Sequence, residues 1–504
     1  MKFQLILAAV GLIATAAFAQ SGDGSGPLSP VLVASGFGGG AQLTYCNALN
    51  QVTVLAPSGA AEVLTRYQYQ SGAWTQVGSA TLQFNGPMGP EHFTSKLYVS
   101  FDTSGNAWIL GQIGQVQPWG ATYPTNFLAK ASPGMGQTFT AYTLGSANNG
   151  STSNPYTPFG LAVGQDGFLY PAFNYSYSSG GTTSYSVNWQ KYSNTMASGA
   201  ADLASGSMGG GPTDSGIAIY GGVNGIFVTG SVTTGGYLSM AVAEYASYGH
   251  SGTISAVAGT PYSPPSYAPA IAAGYQGTAG VQSGLYTVWN SSGVPIGNIV
   301  GVTGWGWATT GEQPAPPSTM TYSTVAWTLA YSDVTGGQKW ASWTPNLSHP
   351  ASYGGCTALG FNVNPVGDTH SASTPVIAAG IAPSDPGLSA KMDFLQYSST
   401  GAASYLDESL IATTRVKSVF HSGQTLYVVS DYAGAFTYPG YAYAPGAVIA
   451  YQFSSGTWQY FGNWLYAPNQ AFQGACQGTD GTVYLLVNNT VSGVASVRLY
   501  HFSG

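Results

Sequence analysis

Charge is what this chain most lacks. Only 5% of its 504 residues are Asp, Glu, Lys or Arg, where a soluble domain usually carries about 25%. The shortage does not signal disorder, which needs low hydrophobicity with high net charge. Hydrophobic residues make up 44% of the chain and aromatic ones 13%. Cysteine is scarce as well. Cys46, Cys356 and Cys476 allow one intrachain disulfide at most, and they form no C-x-x-C, C-x-x-C-H or vicinal pair. Zinc, c-type haem and redox-dithiol readings fail on that spacing. The 10 Lys and Arg are scattered, which argues against a nucleic-acid partner. Beyond the N-terminus no run reaches the about 18 apolar residues that mark a membrane span. No long stretch keeps a 3.6-residue period, so helix content is expected to be small.

Gly, at 71 residues, with Ser, Thr, Tyr and Asn, stands where the charges would be. Such a composition suits an acidic exterior. Acid denaturation protonates carboxylates that are paired in the native state, and 17 Asp and Glu leave few such pairs to lose. The other reading is a neutral-pH surface protein rich in Gly, Ser and Tyr. The N-terminus points to export. In "MKFQLILAAVGLIATAAFAQ", Lys2 is the positive region, Leu5 to Phe18 the short apolar region, and Ala17-Phe18-Ala19 a small-x-small cleavage site. Residues 1–19 are therefore expected to be a signal peptide and 20–504 a single domain, destined for the periplasm or the outer cell surface.

A unit recurs along the chain: apolar strand, polar turn with Gly, second apolar strand. It reads "LYVSFDTSGNAWIL" at 97–110, "GLAVGQDGFLY" at 160–170, "GIAIYGGVNGIFVTG" at 216–230, "SVFHSGQTLYVVS" at 418–430 and "GACQGTDGTVYLLV" at 474–487. Weaker copies lie at 43–55, 270–288 and 358–380, which puts turn centres near 49, 105, 167, 225, 284, 368, 423 and 481. Eight short all-β units of nearly even spacing predict an eight-bladed β-propeller, with seven blades as second choice. The wide gap from 284 to 368 suggests an inserted loop at 297–322, and "QVQPWGATYPTNF" suggests a second at 112–128. Long loops in compact folds are usually functional, so both are expected as arms for self-association or as a lid. Cys46 and Cys476 hold similar places in the first and last units. A disulfide between them would close the ring; Cys356 is the other candidate partner.

Standard catalytic signatures are missing. There is no G-x-S-x-G, H-E-x-x-H or EF-hand loop, and the six His are isolated, so neither metal nor cofactor is expected. Carboxylates carry the information because they are rare. Asp102, Asp166 and Asp480 fall in hairpin turns, where Asp caps its own backbone. Asp333, in "TLAYSDVTGGQKW", has two readings. It is a turn residue of the same kind, or it is an acid ending an apolar strand, where aromatic surroundings disfavour its ionised form and suit it to proton donation. In the second reading Lys339 attracts an anion, and Trp305, Trp307 and Trp340 wall the site.

These features together resemble the tetrathionate hydrolases of acidophilic sulfur-oxidising bacteria, whose propeller is of the quinoprotein-dehydrogenase type. The resemblance covers the chain after the signal. It rests on length, composition and loop placement rather than on a short motif. It implies an exported hydrolase of sulfur–sulfur bonds, active in acid, that takes a polythionate anion and gives thiosulfate, sulfate and sulfur-rich products. It further implies a homodimer formed through inserted loops, and an Asp general acid at the position that looks like Asp333. The outline is also similar to quinone-dependent dehydrogenases, but their vicinal Cys pair and Trp-docking blade motif are not evident. A sugar-binding or adhesive propeller is the remaining class. It would repeat aromatic pockets in every blade, whereas Trp305, Trp307, Trp327, Trp340 and Trp343 cluster in one region.

Overall fold

Alternating apolar and polar residues face opposite sides of a strand, and Gly-rich turns fold such strands back on one another. The computed structural model describes residues 28–502, apart from 117–121, 146–155, 249–281, 310–321, 334–339, 346–352, 364–374, 384–389, 432–446 and shorter stretches; over 303–330 and 334–416 it describes strands without side chains. The expected signal peptide at 1–19 lies outside the described residues. Every regular element among those described is a β-strand. No helix there is long and apolar enough to cross a membrane.

The strands form eight sheets in chain order, besides a two-stranded ribbon at Asn85–Gly86 and Gly89–Pro90. Sheets 1 to 4 span 42–82, 98–143, 156–208 and 215–246, and sheets 5 to 8 span 282–345, 353–411, 415–465 and 470–502. Sequence neighbours pair antiparallel within each. Two strands break the chain order. Gln137–Thr138 adds to the outer edge of sheet 1 in parallel. Val31–Phe37 takes the outer edge of sheet 8, with Val31 opposite His501 and Phe37 opposite Val497. The first strand of each sheet lies against the first strand of the next, from Gln42–Cys46 in sheet 1 to Gln470–Gln477 in sheet 8. Gln470–Gln477 in turn lies against Gln42–Cys46.

The core sits between consecutive sheets, as expected when one sheet face packs on another. Trp189, Tyr170 and Met208 of sheet 3 meet Ile219, Val228 and Tyr245 of sheet 4. Phe127 and Ile109 of sheet 2 meet Leu55 and Leu64 of sheet 1. Tyr484, Leu486 and Leu499 of sheet 8 meet Val52 and Val54 of sheet 1. Aromatics fill these layers, as their size favours: the Trp189 and Tyr245 rings are 4.9 Å apart and nearly perpendicular. The hairpin turns pack too. Arg66, 1% exposed, donates to the Gly105 carbonyl at 2.9 Å and lies 5.3 Å over the Phe101 ring. Gly105 has φ +77°, and a Cβ there would sit 2.4 Å from Leu49 Cδ1, so only glycine lets the turns of sheets 1 and 2 approach.

The turn aspartates cap backbone as expected. Asp102 accepts from the Ser104 and Asn106 N–H groups at 3.0 and 2.9 Å, and from Trp108 Nε1 at 3.2 Å. Asp480 accepts from Thr482 N–H at 3.0 Å. Asp166 accepts from Phe168 N–H at 3.3 Å, Tyr170 hydroxyl at 2.5 Å and Lys191 Nζ at 2.8 Å.

Three expectations need correction. The turn expected near 284 is not there: Gln282–Trp289 is one unbroken strand, paired antiparallel with Pro295–Thr309. "QSG" imitates a turn in sequence but lies within the strand. The wide gap is thereby shared between two units, and 297–322 is largely sheet. Pro295–Thr309 pairs with Tyr322–Ser332 from Ile299↔Ser332 to Thr309↔Tyr322, leaving 310–321 outside the described residues. Likewise 112–128 is the body of a hairpin, with Ala107–Val116 paired to Thr122–Ala131 around 117–121. Pro124 suggested a loop, yet it is tolerated because the second neighbour, Thr140–Thr143, reaches only as far as Phe127. Finally, Cys46 and Cys476 are both free thiols. Their strands are neighbours, but no disulfide joins them. The side chain of Cys356 lies outside the described residues.

Candidate functional site

Asp333 directly follows the third strand of sheet 5, Tyr322–Ser332. Its Oδ1 accepts the Asn298 N–H at 2.5 Å, and its own N–H donates to the Asn298 carbonyl at 3.1 Å. Asn298 in turn spans two sheets: its Oδ1 accepts Val223 N–H at 2.6 Å and its Nδ2 donates to Thr287 Oγ1 at 3.2 Å. Asn224 Nδ2 donates to the Asp333 carbonyl at 3.2 Å. Asp333 and Asn298 are 2% and 0% exposed. Together they tie the third strand of sheet 5 to its second, and both to the 222–224 turn of sheet 4. The same boundary carries a hydrogen bond from the Tyr331 hydroxyl to buried Glu244, and one from the Tyr248 hydroxyl to the Gly222 carbonyl. Burial pushes the Tyr248 phenol up from its ordinary value, and the charges of Asp166 and Asp333 add to that push.

The other expected site residues are only partly gathered here. Trp340 is opposite Ser332, so it starts beside Asp333. Trp305 and Trp307 pair with Ala326 and Thr324. Six residues of strand separate Trp305 from Ile299, the partner of Ser332, a run of about 20 Å. Asp333 and these two tryptophans therefore sit towards opposite ends of one hairpin. Lys339 lies outside the described residues. The first strand of sheet 5 is two strands away from Asp333, about 10 Å in sheet spacing.

A different set of residues converges on the first strands. A cavity of ≈ 280 Å³ is lined by 42–44, 96–99, 159–161 and 217–219, that is, by the inner edges of sheets 1 to 4. Lys96 is on its wall, with Nζ 5.5 Å from the Tyr98 ring centroid. Phe159 and Ile217 enter the lining at β-bulges between Pro158 and Gly160 and between Gly216 and Ala218. Sheet 7 has the corresponding bulge between Val416 and Ser418, and the bulged residue there is Lys417. Bulges re-aim a side chain, and Lys417 holds in sheet 7 the bulge position that Phe159 and Ile217 hold in sheets 3 and 4. Arg415 is on the same strand. None of the eight first strands contains Asp or Glu. The sequence contained a signal for this: cations on the inner strand of a repeat that otherwise avoids charge. The bulge that equates Lys417 with Phe159 was not visible in it.

Among the described residues, no group of three or more His, Cys, Asp or Glu is placed to hold a metal ion. No family model and no curated protein matches the chain. Solved structures similar to it include the polysaccharide lyase Uly1, at 9% identity and TM-score 0.41, covering 94% of this chain and 91% of that one. A glucose dehydrogenase is similar at 11% identity and TM-score 0.31, covering 94% and 99%. The xylan beta-1,4-xylosidase from Bacillus halodurans C-125 is similar at 10% identity and TM-score 0.27, also covering 94% and 99%. Likeness of this degree carries no argument about chemistry.

Proposed function

We propose that the eight sheets are the blades of a closed β-propeller, and that the protein is an exported, acid-active enzyme that takes tetrathionate into the axial cavity and hydrolyses it. Closure is supported by the neighbour order of the first strands, which returns from sheet 8 to sheet 1, and by the pairing of Val31–Phe37 with the last strand. The substrate class is supported by one observation above all: the first strands carry Arg415 and Lys417 and no carboxylate, and Lys96 lines the cavity at the first strands of sheets 1 to 4. In a chain with so few charges, that is a site for an anion. Water and tetrathionate give thiosulfate, sulfate, one sulfur atom and two protons, which balances without an oxidant. The departing fragment is itself an anion, so fixed positive charge is the main aid the reaction needs. The resemblance assigns Asp333 the acid's part. Its burial, its bond to Asn298 N–H and its distance from the first strand support a holding role instead.

The deciding experiment follows tetrathionate consumption by the purified protein across about pH 2–7, bracketing the carboxylate range. Turnover confined to acid, and weakened when Lys96 and Lys417 are replaced by Ala, is the expected result. A correctly folded protein without turnover at any pH would remove the hydrolase reading.

A further inference from the structure

A second cleft, separate from the axial cavity and from Asp333, opens where Val31–Phe37 and the last strand of sheet 8 meet sheet 1. It encloses ≈ 670 Å³ between sheets 8 and 1, within the usual range of about 300–1,000 Å³ for small-molecule sites. Its walls are Tyr69, Trp74, Tyr484 and His501, with Asn50 and Asp480 at the turns. The rings form one continuous surface. Trp74 is 5.5 Å from Tyr69, 5.7 Å from Tyr484 and 5.2 Å from His501. Tyr69 is 58% exposed, and Val31 and Leu32 beside it are 49% exposed each, so apolar surface faces solvent at the mouth. Thr479 donates to Asn50 Oδ1 at 3.3 Å, which joins the turns of the two sheets beside the cleft.

Among the described residues, two polar atoms of this wall have no partner: Trp74 Nε1 and His501 Nδ1, both buried. A buried donor without a partner is costly, so a ligand that supplied one here would gain by it. Among the described residues no Lys or Arg lines the cleft, and the Asp480 carboxylate argues against an anion. A simple cation could use the ring faces, but it would have no use for an indole N–H donor. A ligand with a flat C–H face and hydroxyls at its rim uses both. We propose that this cleft is a binding site for a neutral saccharide, with a pyranose ring stacked on Tyr69 and Trp74 and its hydroxyls directed at Trp74 Nε1, His501 and Asp480. The inference does not depend on the axial reading, since no residue is shared between the two cavities.

The test uses saturation-transfer NMR and equilibrium titration with three soluble probes: β-1,4-gluco-, β-1,4-xylo- and α-1,4-gluco-tetrasaccharides, each to about 10 mM, which reaches weak sites. At least one is expected to bind the wild type. Tyr69→Ala should weaken that binding about tenfold without moving the thermal midpoint, because the ring is largely exposed. Trp74→Phe keeps a ring but removes the N–H, and should weaken binding several-fold. Absence of binding by all three probes overturns the proposal. So does binding that both variants leave unchanged, and so does choline binding at this site with no saccharide response.

Discussion

Asn298 and Asp333 hold each other twice: Asn298 N–H donates to Asp333 Oδ1, and Asp333 N–H donates to the Asn298 carbonyl, at 2.5 and 3.1 Å. Asn298 also accepts Val223 N–H from the neighbouring sheet. Loss of the Asp333 carboxyl leaves a buried backbone N–H without its acceptor. Asp333→Ala should therefore lower stability by about 2 kcal/mol, read from urea unfolding. Asp333→Asn keeps an acceptor oxygen and should cost less. If Asp333 is a holding residue, Asp333→Asn keeps tetrathionate turnover within a few-fold. Turnover abolished at an unchanged thermal midpoint would make it the acid instead.

The lysines of the proposed anion site give a second expectation. Lys417→Ala and Lys96→Ala should each lower kcat/KM for the dianion by about tenfold, and the loss should shrink in high salt, because exposed charges are screened over about 10 Å at 0.1 M. Substitution of Lys130, which lies 5.0 Å over the Trp108 ring outside the axial lining, should leave kcat/KM unchanged. Equal effects of all three would show a non-specific charge effect and remove the axial assignment.

Glu62 makes part of the pH dependence explicit. Burial pushes its carboxyl from 4.5 up to about 7. Between those values the folded chain holds a proton that the unfolded chain has released. Stability from this group is complete below about pH 4.5 and declines as pH rises towards about 7. Thermal midpoints measured across that window should fall, and Glu62→Gln should flatten the fall. A midpoint that rises with pH equally in both proteins would contradict the assignment.

Cys46 and Cys476 are thiols that burial makes reluctant to ionise. Since thiolate is the reactive form, a thiol reagent should label neither in the folded protein and both after unfolding. A reductant should not change the thermal midpoint through this pair. A reductant-sensitive midpoint that disappears in Cys46→Ala would restore the ring-closing disulfide.

Val31–Phe37 covers the outer edge of sheet 8. A chain beginning after residue 37 should expose the Val497–His501 edge, unfold at a lower temperature and self-associate, as open edge strands do. Size-exclusion chromatography and calorimetry would show both. An unchanged midpoint would mean that the strand does not contribute to closure.

The sequence by itself determined the β class, the repeat and most of its turns. Scarce charge, Gly-bounded apolar runs and the D-x-x-G-N pattern at Asp102 are local signals, and local backbone geometry obeys them. It also determined that Asp102, Asp166 and Asp480 cap turns, since an Asx turn needs only its own neighbours. Where a local signal was ambiguous the reading failed. Ser-Gly at 283–284 resembles a turn, but cross-strand pairing with Val302 and Gly301 holds it extended, and the apparent insertion at 297–322 followed from that one misplaced turn. Tertiary structure alone decided the rest. It separated Asp333 from Trp305 by the length of a strand, gave Lys417 the bulge position that Phe159 holds in sheet 3, and brought residues 31 and 501 together at the edge of the aromatic cleft. Each of these depends on which strand pairs with which and in what register, and side chains that meet only through such long-range pairing leave no mark in the local sequence.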